Sequence, residues 1–282
     1  MNTIDLHVHS NISDGTYTPS QLVAYALQKK LRAMALTDHD STDGLAEAFA
    51  AAEGTGLELV PGIEFSTEYQ GNDIHIVGLD IDFKDPEFAQ SLCRFRNSRD
   101  IRNQKMIQKL QEADVDISME QMTSLFGSAV LTRAHFARYL AEHGYVADMP
   151  EAFRKYIGEG CPCFVPREKV TPLQAVHLIY RTGGIAVLAH PMLYHLSGNA
   201  MDTLLVSLKK AGLVGIEALY STHSRWEENQ VRLLAKRHDL AISGGSDFHG
   251  SNKPKIDLGS GRGNLNIPYD ILRNLRHRRN ER

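Results

Sequence analysis

The chain has 282 residues, a length that suits one large domain or one domain with a smaller insert. Its 31 Lys and Arg residues nearly balance 34 Asp and Glu residues, and the formal net charge of -3 excludes a generally polybasic protein. Hydrophobic residues make up 42% of the chain, but apolar runs such as residues 185–189 are far shorter than the roughly 20 residues that cross a bilayer. We therefore expect a globular protein with no membrane partner.

The amino-terminal segment and the cysteines indicate the compartment. Asp5, His7 and His9 interrupt the segment in which a secretory signal would need an apolar stretch. Three cysteines cannot form a fully paired disulfide framework, which favours a reducing environment. We therefore expect a cytoplasmic protein.

Seven short and mostly apolar runs predict β-strands, at residues 4–8, 33–37, 58–61, 74–79, 185–189, 214–218 and 240–243. Helical patterns separate most of these runs. Thr18 is the expected cap of a first helix that begins at Pro19, and further helices are expected at residues 43–53, 172–181, 201–211 and 225–237. Because such alternation is typical of parallel strands covered on both faces, the expected fold class is α/β.

Residues 86–166 break this alternation. Helical patterns occur there at residues 86–113, 119–126, 133–143 and 150–157, without a convincing strand. The pattern predicts a helical insert domain between the fourth and fifth strands. The barrel that carries it would consist of residues 1–85 and 167–282.

Histidine is the commonest metal ligand in proteins, and the chain has 13 histidines. Nine histidines and carboxylates lie on or just after six of the seven predicted strands. They are His7, His9, Asp14, His39, Glu64, His75, His190, Asp247 and His249. Because the loops after parallel strands converge on one mouth, we expect these side chains to meet there.

One such histidine is usually a structural residue, and one such aspartate is usually a helix cap. Nine ionisable groups buried together would be costly without cations, so their number favours a multinuclear metal site. Imidazole and carboxylate without thiolate suit Mn, Zn or Fe, and nine ligands suit three ions with one bridging carboxylate. Clustered divalent ions stabilise the attacking and leaving oxygens of phosphoryl displacement, so the predicted reaction is hydrolysis of a phosphoester.

The same residues lie in motifs that resemble the PHP (polymerase and histidinol phosphatase) family of trinuclear metallo-phosphoesterases. The motifs are Asp5-Leu6-His7-Val8-His9-Ser10, Thr37-Asp38-His39-Asp40, Pro61-Gly62-Ile63-Glu64, Ala189-His190-Pro191 and Gly245-Ser246-Asp247-Phe248-His249. They follow the family order and span nearly the whole chain outside the insert. The resemblance implies a distorted (β/α)7 barrel, here with a helical insert between strands 4 and 5.

The resemblance also implies three divalent ions, with Mn2+ expected and Zn2+ or Fe2+ as alternatives. The ligands of the first ion would be His7, His9, Glu64 and Asp247, which form the expected catalytic centre. Glu64 would bridge to a second ion held by His75 and His190, and the third ion would be held by Asp14, His39 and His249.

Asp14 stands where many family members have histidine. Together with the insert, this aspartate makes the chain resemble the subfamily of bacterial 3',5'-nucleoside bisphosphate phosphatases and the 5'-to-3' exoribonuclease RNase AM. The resemblance implies hydrolysis of nucleotide phosphate esters, either 3',5'-bisphosphates, 5'-phosphorylated short RNA, or both. A nucleotide or short RNA would be the substrate, and no obligate protein partner is expected.

Two further residues are candidates for the substrate site. Arg133 begins an insert helix after the expected cap Thr132, and both its guanidinium and a helix N-terminus favour phosphate. His223 follows the sixth strand and is expected to contact phosphate or to pass a proton to the leaving oxygen. A solvated helix residue and a surface loop histidine are the respective alternatives.

Basic runs at residues 94–105 and 273–282 would attract RNA if they faced the mouth, and would otherwise be solvated helix faces. Three other functions stay open at this point. They are a histidinol-phosphate-type phosphatase, a catalytically silent PHP interaction module, and a metal-dependent amidohydrolase. No candidate for a carbamylated lysine lies on a middle strand, which argues against the last of these.

Overall fold

The computed structural model of the protein describes residues 3–127, 129–166 and 170–281. Seven strands lie side by side in one sheet, in the order in which they occur along the chain. They are β1 (Ile4–Val8), β2 (Ala33–Leu36), β3 (Glu58–Tyr69), β4 (Asn72–Leu79), β5 (Ile185–Leu188), β6 (Leu213–Tyr220) and β7 (Ala241–Gly245).

The sheet curves into a nearly closed barrel, because backbone hydrogen bonds join β1 to the segment after β7. The Asp247 N–H donates to the His7 carbonyl at 2.8 Å, and the His9 N–H donates to the Phe248 carbonyl at 3.0 Å. Closure leaves few unpaired sheet edges. The α/β fold class, the distorted barrel and the position of the helical insert between β4 and β5 are thus confirmed. Strands β1, β2 and β7 end at the same end of the barrel. We call this end of the barrel the mouth.

The prediction of uniformly parallel strands is wrong at β4, which runs antiparallel to both β3 and β5. β3 extends well beyond Pro61 and turns back into β4 through Gln70 and Gly71, whose φ angles of 53° and 85° suit a tight hairpin turn. Because β4 is reversed, His75 near its start pairs with Ser66. The reversal therefore brings His75 to the mouth.

The helices are α1 (Pro19–Gln28), α2 (Leu45–Ala52), α3 (Pro86–Glu112), α4 (Met119–Phe126), α5 (Arg133–Glu142), α6 (Met149–Ala152), α7 (Pro172–Arg181), α8 (Gly198–Ala211), α9 (Arg225–Arg237) and α10 (Asp270–Asn280). The helix predicted at Pro19 is confirmed, with Thr18 and Gln21 forming a reciprocal cap. Among the described helices, none has the length and hydropathy that crossing a membrane requires.

The segment between β4 and β5 has a hydrophobic core of its own, to which Met106, Leu110, Phe136 and Leu140 contribute. Helix α3 connects the two cores, since its first half packs into the barrel cluster and its second half into the insert cluster. The polar middle of α3 consequently passes beside the mouth. The boundary expected at 166/167 adjoins residues 167–169, which lie outside the described part of the chain.

Candidate metal centre

The nine side chains expected to bind metal form one cluster at the mouth. Within each of four overlapping groups the candidate ligand atoms lie within 4.8 Å of one another, and every residue except His75 is buried. The groups are His7, His9 and Asp247; His7, Glu64 and His190; His9, Asp14, His39 and His249; and His39, Glu64 and His75. The strand ends that the sequence indicated are therefore brought together.

Glu64 lies at the centre of this cluster. Its Oε2 is 3.2 Å from His7 Nε2 and 3.1 Å from His9 Nε2. Its Oε1 is 2.9 Å from His75 Nδ1 and 3.1 Å from His190 Nε2. A carboxylate that faces ligands on both sides has the geometry of a bridge between two cations.

Several atoms that point into the cluster are buried without a hydrogen-bond partner in the described structure, among them His7 Nε2, His9 Nε2 and Asp14 Oδ1. The opposite nitrogen of His7, Nδ1, lies 3.0 Å from Glu217 Oε1, to which its N–H donates. When the imidazole is neutral, this bond keeps its proton on Nδ1 and leaves Nε2 with a lone pair directed at the cluster. Orphaned buried atoms are costly unless something compensates them, and a divalent cation fits this donor set.

The electrostatics keep the carboxylates charged. Burial alone would raise the pKa of Glu64, but His7 and His39 hold it well below its usual range. Burial likewise opposes ionisation of Asp14, yet His249 and His39 hold its pKa well below normal. Burial would lower the pKa of His9, but the adjoining carboxylates of Asp247 and Glu64 together raise it to about 9.

The backbone is unusual at two of the nine residues. His190 and Asp247 have φ angles of 23° and 57°, which non-glycine residues seldom adopt. Such conformations cluster at functional sites, where the surrounding structure enforces them.

Gly245 permits the close approach of β7 to β1, since a Cβ at this position would lie 2.2 Å from the His7 Cβ.

A cavity of about 320 Å³, the metal cavity, opens onto the cluster. Four basic residues line it, namely Arg99, Arg102, Arg133 and Lys253. Arg99 is buried and is fixed by hydrogen bonds to Asp40 and Ser66. The cavity therefore combines metal-ligand groups on one side with cationic groups suited to phosphate on the other.

The two predicted substrate residues occupy different positions. Arg133 is the first residue of α5, is capped by Thr132 as expected, and lines the metal cavity. His223 is buried and is not among the described residues that line this cavity. Its ring lies 5.1 Å from that of Tyr220, and its Nδ1–H donates to the Ala218 carbonyl at 3.1 Å.

The two basic runs also differ. From the first run, Arg99 and Arg102 face the metal cavity, whereas Arg94 is exposed. The second run lies at the opposite end of the barrel, where Arg276 binds Asp80 and Glu58. The described residues of the second run therefore do not face the mouth, and Arg282 lies outside the described residues.

Several residues that support the cluster are not predicted from the sequence. The Lys253 ammonium lies 2.5 Å from Asp247 Oδ2, and the Tyr220 hydroxyl donates to the same oxygen at 2.7 Å. Glu217 accepts from His7 and from the backbone N–H of His190. A carboxylate within the apolar strand β6 was the available signal for Glu217, whereas Lys253 lies in a loop with no such signal.

Residues 5–239 match the model of the PHP domain. The chain belongs to the PHP domain family. The 5'-3' exoribonuclease Rnm of Escherichia coli is 37% identical over 257 residues, which are 90% of this chain and 87% of that protein. The 3',5'-nucleoside bisphosphate phosphatase of Chromobacterium violaceum is 38% identical over 260 residues, 92% of this chain and 91% of its own.

One solved structure shares the fold over nearly the whole chain. A candidate metal-dependent phosphoesterase from Bifidobacterium adolescentis superposes with a TM-score of 0.85 at 27% identity, covering 98% of this chain and 96% of its own. The family predicted from the strand-end motifs is therefore confirmed.

Proposed function

We propose that this PHP protein is a divalent-metal-dependent phosphoesterase that hydrolyses 3',5'-nucleoside bisphosphates, 5'-phosphorylated short RNA, or both. The observation that carries the proposal is the convergence of nine imidazole and carboxylate groups around Glu64, beside a cavity lined by three arginines and a lysine. The names of the relatives in Escherichia coli and Chromobacterium violaceum support the substrate class.

Three ions, with Mn2+ as the expected metal, would occupy the cluster. His7, His9, Asp247 and Glu64 would hold the first ion, Glu64 with His75 and His190 the second, and Asp14 with His39 and His249 the third. When bound, such ions provide a nucleophile at neutral pH and neutralise charge on the phosphate. Glu217 would orient the His7 ring, as carboxylates beside metal-bound histidines commonly do.

The basic residues of the metal cavity would hold the anionic substrate. Arg99 is held in place by Asp40 and Ser66, and the Arg133 guanidinium is held by its ion pair with Asp73, so both present positioned donors to a phosphate. The helical insert, proposed at residues 86–166, contributes these donors and would select the substrate. The role expected of His223, phosphate contact or proton transfer to the leaving oxygen, stays a prediction, because its ring packs beside Tyr220 and the residue is not among the described residues that line the cavity.

One cleavage accounts for both substrate types. Water attacks the phosphorus attached to the 3' oxygen of a nucleotide that carries a 5' phosphate, the bond from phosphorus to that oxygen breaks, and the oxygen takes up a proton. A bisphosphate then yields a 5'-mononucleotide and inorganic phosphate. An RNA chain yields a 5'-mononucleotide and a shorter chain with a new 5' phosphate.

Incubating the Mn-loaded protein separately with 3',5'-bisphosphoadenosine and with a 5'-phosphorylated short RNA tests the proposal. We expect inorganic phosphate from the first substrate and stepwise mononucleotides from the second. Histidinol phosphate is the control substrate, because it is a small phosphomonoester without base or second phosphate. Preferred turnover of histidinol phosphate would instead identify a small-molecule phosphatase, and turnover of none of the three would indicate a silent module.

A further inference from the structure

A second groove of about 270 Å³ adjoins the metal cavity, and four residues line both spaces. These shared residues are Asp73, Arg133, Phe153 and Phe164. The remaining walls come from the turn between β3 and β4, from Gly158 and Glu159 of the insert, and from residues 193–195 after β5. Its volume is close to the lower end of the range of roughly 300–1,000 Å³ that ligand pockets occupy.

The shared wall contains one cation and two aromatic rings. The guanidinium carbon of Arg133 lies 5.9 Å from the centre of the Phe153 ring and 5.6 Å from the centre of the Phe164 ring. Arg133 also pairs with Asp73, whose side chain is 46% exposed. Both phenyl rings are only half-buried, so each has surface available to a ligand. A cation beside partly exposed aromatic rings is typical of sites that bind single-stranded nucleic acid through phosphate and stacked base.

The second groove lies on the side of the cluster formed by β4 and β5. Tyr194, one of its lining residues, accepts a hydrogen bond from the His75 N–H at 3.0 Å and donates one to the Ala189 carbonyl at 2.6 Å. Tyr194 therefore connects this groove to the strand β4 that carries His75 and to the segment after β5 that carries His190. A substrate whose reacting phosphate lies at the cluster has room on two sides, the metal cavity and the second groove.

We propose that the second groove binds the nucleotide on the 3' side of the scissile phosphate, with its base stacked on Phe164 and its phosphate beside Arg133. The inference rests on the proposed function. It assigns the metal cavity to the nucleotide that is released and the second groove to the remaining RNA chain. A 3',5'-bisphosphate has no second nucleotide and leaves the second groove empty, so this groove distinguishes RNA from the bisphosphate.

The test compares kcat/KM for a 5'-phosphorylated diadenylate with kcat/KM for 3',5'-bisphosphoadenosine, and uses the ratio of the two. Phe164→Leu keeps an apolar side chain but removes the aromatic face, and we expect the ratio to fall by about 5- to 150-fold, the range of base stacking on aromatic side chains. Phe164→Tyr keeps the ring and should restore the ratio. Leu193→Glu adds a negative charge to the second groove alone and should also lower the ratio.

Leu233→Glu is the matched control, because Leu233 on α9 is 56% exposed, similar to the 46% of Leu193, and lies outside both cavities. It should leave the ratio unchanged. A dinucleotide without its second base should show the reduced ratio in the wild type and no further loss in Phe164→Leu. Equal losses on both substrates, or no loss in either variant, would overturn the inference, as would a wild type that hydrolyses only the bisphosphate. A wild type that hydrolyses neither substrate would instead overturn the proposed function.

Discussion

The two ends of the barrel differ in whether their charged side chains are paired. At the end away from the mouth, Arg276 donates to both Asp80 and Glu58, and its bonds to the Asp80 carboxylate raise the pKa of the guanidinium. At the mouth, buried histidines and carboxylates crowd together, and His7 Nε2 and Asp14 Oδ1 have no hydrogen-bond partner in the described structure. Paired charges stabilise a fold, whereas unpartnered buried groups lower its stability until a ligand compensates them. The comparison therefore assigns stability to one end and chemistry to the other.

The largest expected effect follows from Asp247→Ala or His9→Ala at the mouth. Each removes a proposed ligand of the first ion, so phosphatase activity should fall by about three orders of magnitude or more while the far-UV circular dichroism stays that of the wild type. Steady-state turnover of 3',5'-bisphosphoadenosine by metal-loaded protein measures this loss. Full activity in either variant would defeat the proposed function.

Metal binding should depend on pH, because the metal competes with protons for the same atoms. The pKa of His9 is about 9 in the metal-free protein, so at pH 7 its imidazole is protonated and must lose that proton to become a ligand. Affinity for Mn2+ should therefore rise between pH 7 and pH 9, by up to about tenfold per pH unit for each proton displaced. Calorimetry in two buffers with different ionisation enthalpies measures the proton release, and binding without release would contradict the prediction.

A smaller effect is expected where the insert contacts the cluster. The Thr132 hydroxyl donates to Asp14 Oδ2 at 3.1 Å, so it orients a proposed ligand of the third ion. Thr132→Val should lower the binding affinity for the third ion by about 10- to 100-fold and leave the other two ions bound. Metal content at increasing Mn2+ concentration measures the difference.

Two controls belong to the Thr132 experiment. Thr132→Ser keeps the hydroxyl and should retain the third ion. Ser118→Ala removes the cap of α4 within the same insert, where Ser118 is neither a candidate ligand nor a lining residue of the metal cavity, and should leave metal content unchanged. Identical titrations for Thr132→Val and the wild type would show that the contact does not matter for binding.

The smallest effect on activity is expected at the opposite end. Arg276→Ala removes the bonds to Asp80 and Glu58, which should lower the free energy of unfolding by about 1 kcal/mol, because the side chain is partly exposed and solvent screens the pair. Turnover should stay within about twofold of the wild type, since paired charges at this end do not reach substrate. Urea denaturation of the metal-free protein measures the free energy of unfolding, and an activity assay measures the turnover. A large loss of activity with unchanged stability would reverse the assignment of the two ends.

The convergence of the cluster could be predicted from the sequence, because the face on which a strand residue lies depends only on its position along that strand. His7 and His9 are two residues apart on β1 and share a face, and His190 and Asp247 follow strands whose ends must converge in a parallel arrangement. The prediction of a parallel β4 is wrong, because the whole strand reversal depends on the two-residue turn at Gln70 and Gly71. His75 was nevertheless included, since a histidine on an apolar strand is visible whichever way the strand runs.

Residues placed by tertiary packing could not be read from the sequence. Arg99 and Arg102 are two of several basic residues along α3, and only the docking of that helix against both cores decides which of them face the metal cavity. Lys253 reaches Asp247 from a loop whose path is fixed by neighbouring segments. The second groove is defined by three separate segments, so no single motif predicts it.

The proposed three-ion centre can be tested by anomalous diffraction from crystals grown with Mn2+. We expect three peaks grouped around Glu64, within coordination distance of His7, His190 and His249 respectively. Peaks located elsewhere, or a cluster without bound metal at saturating Mn2+, would contradict it.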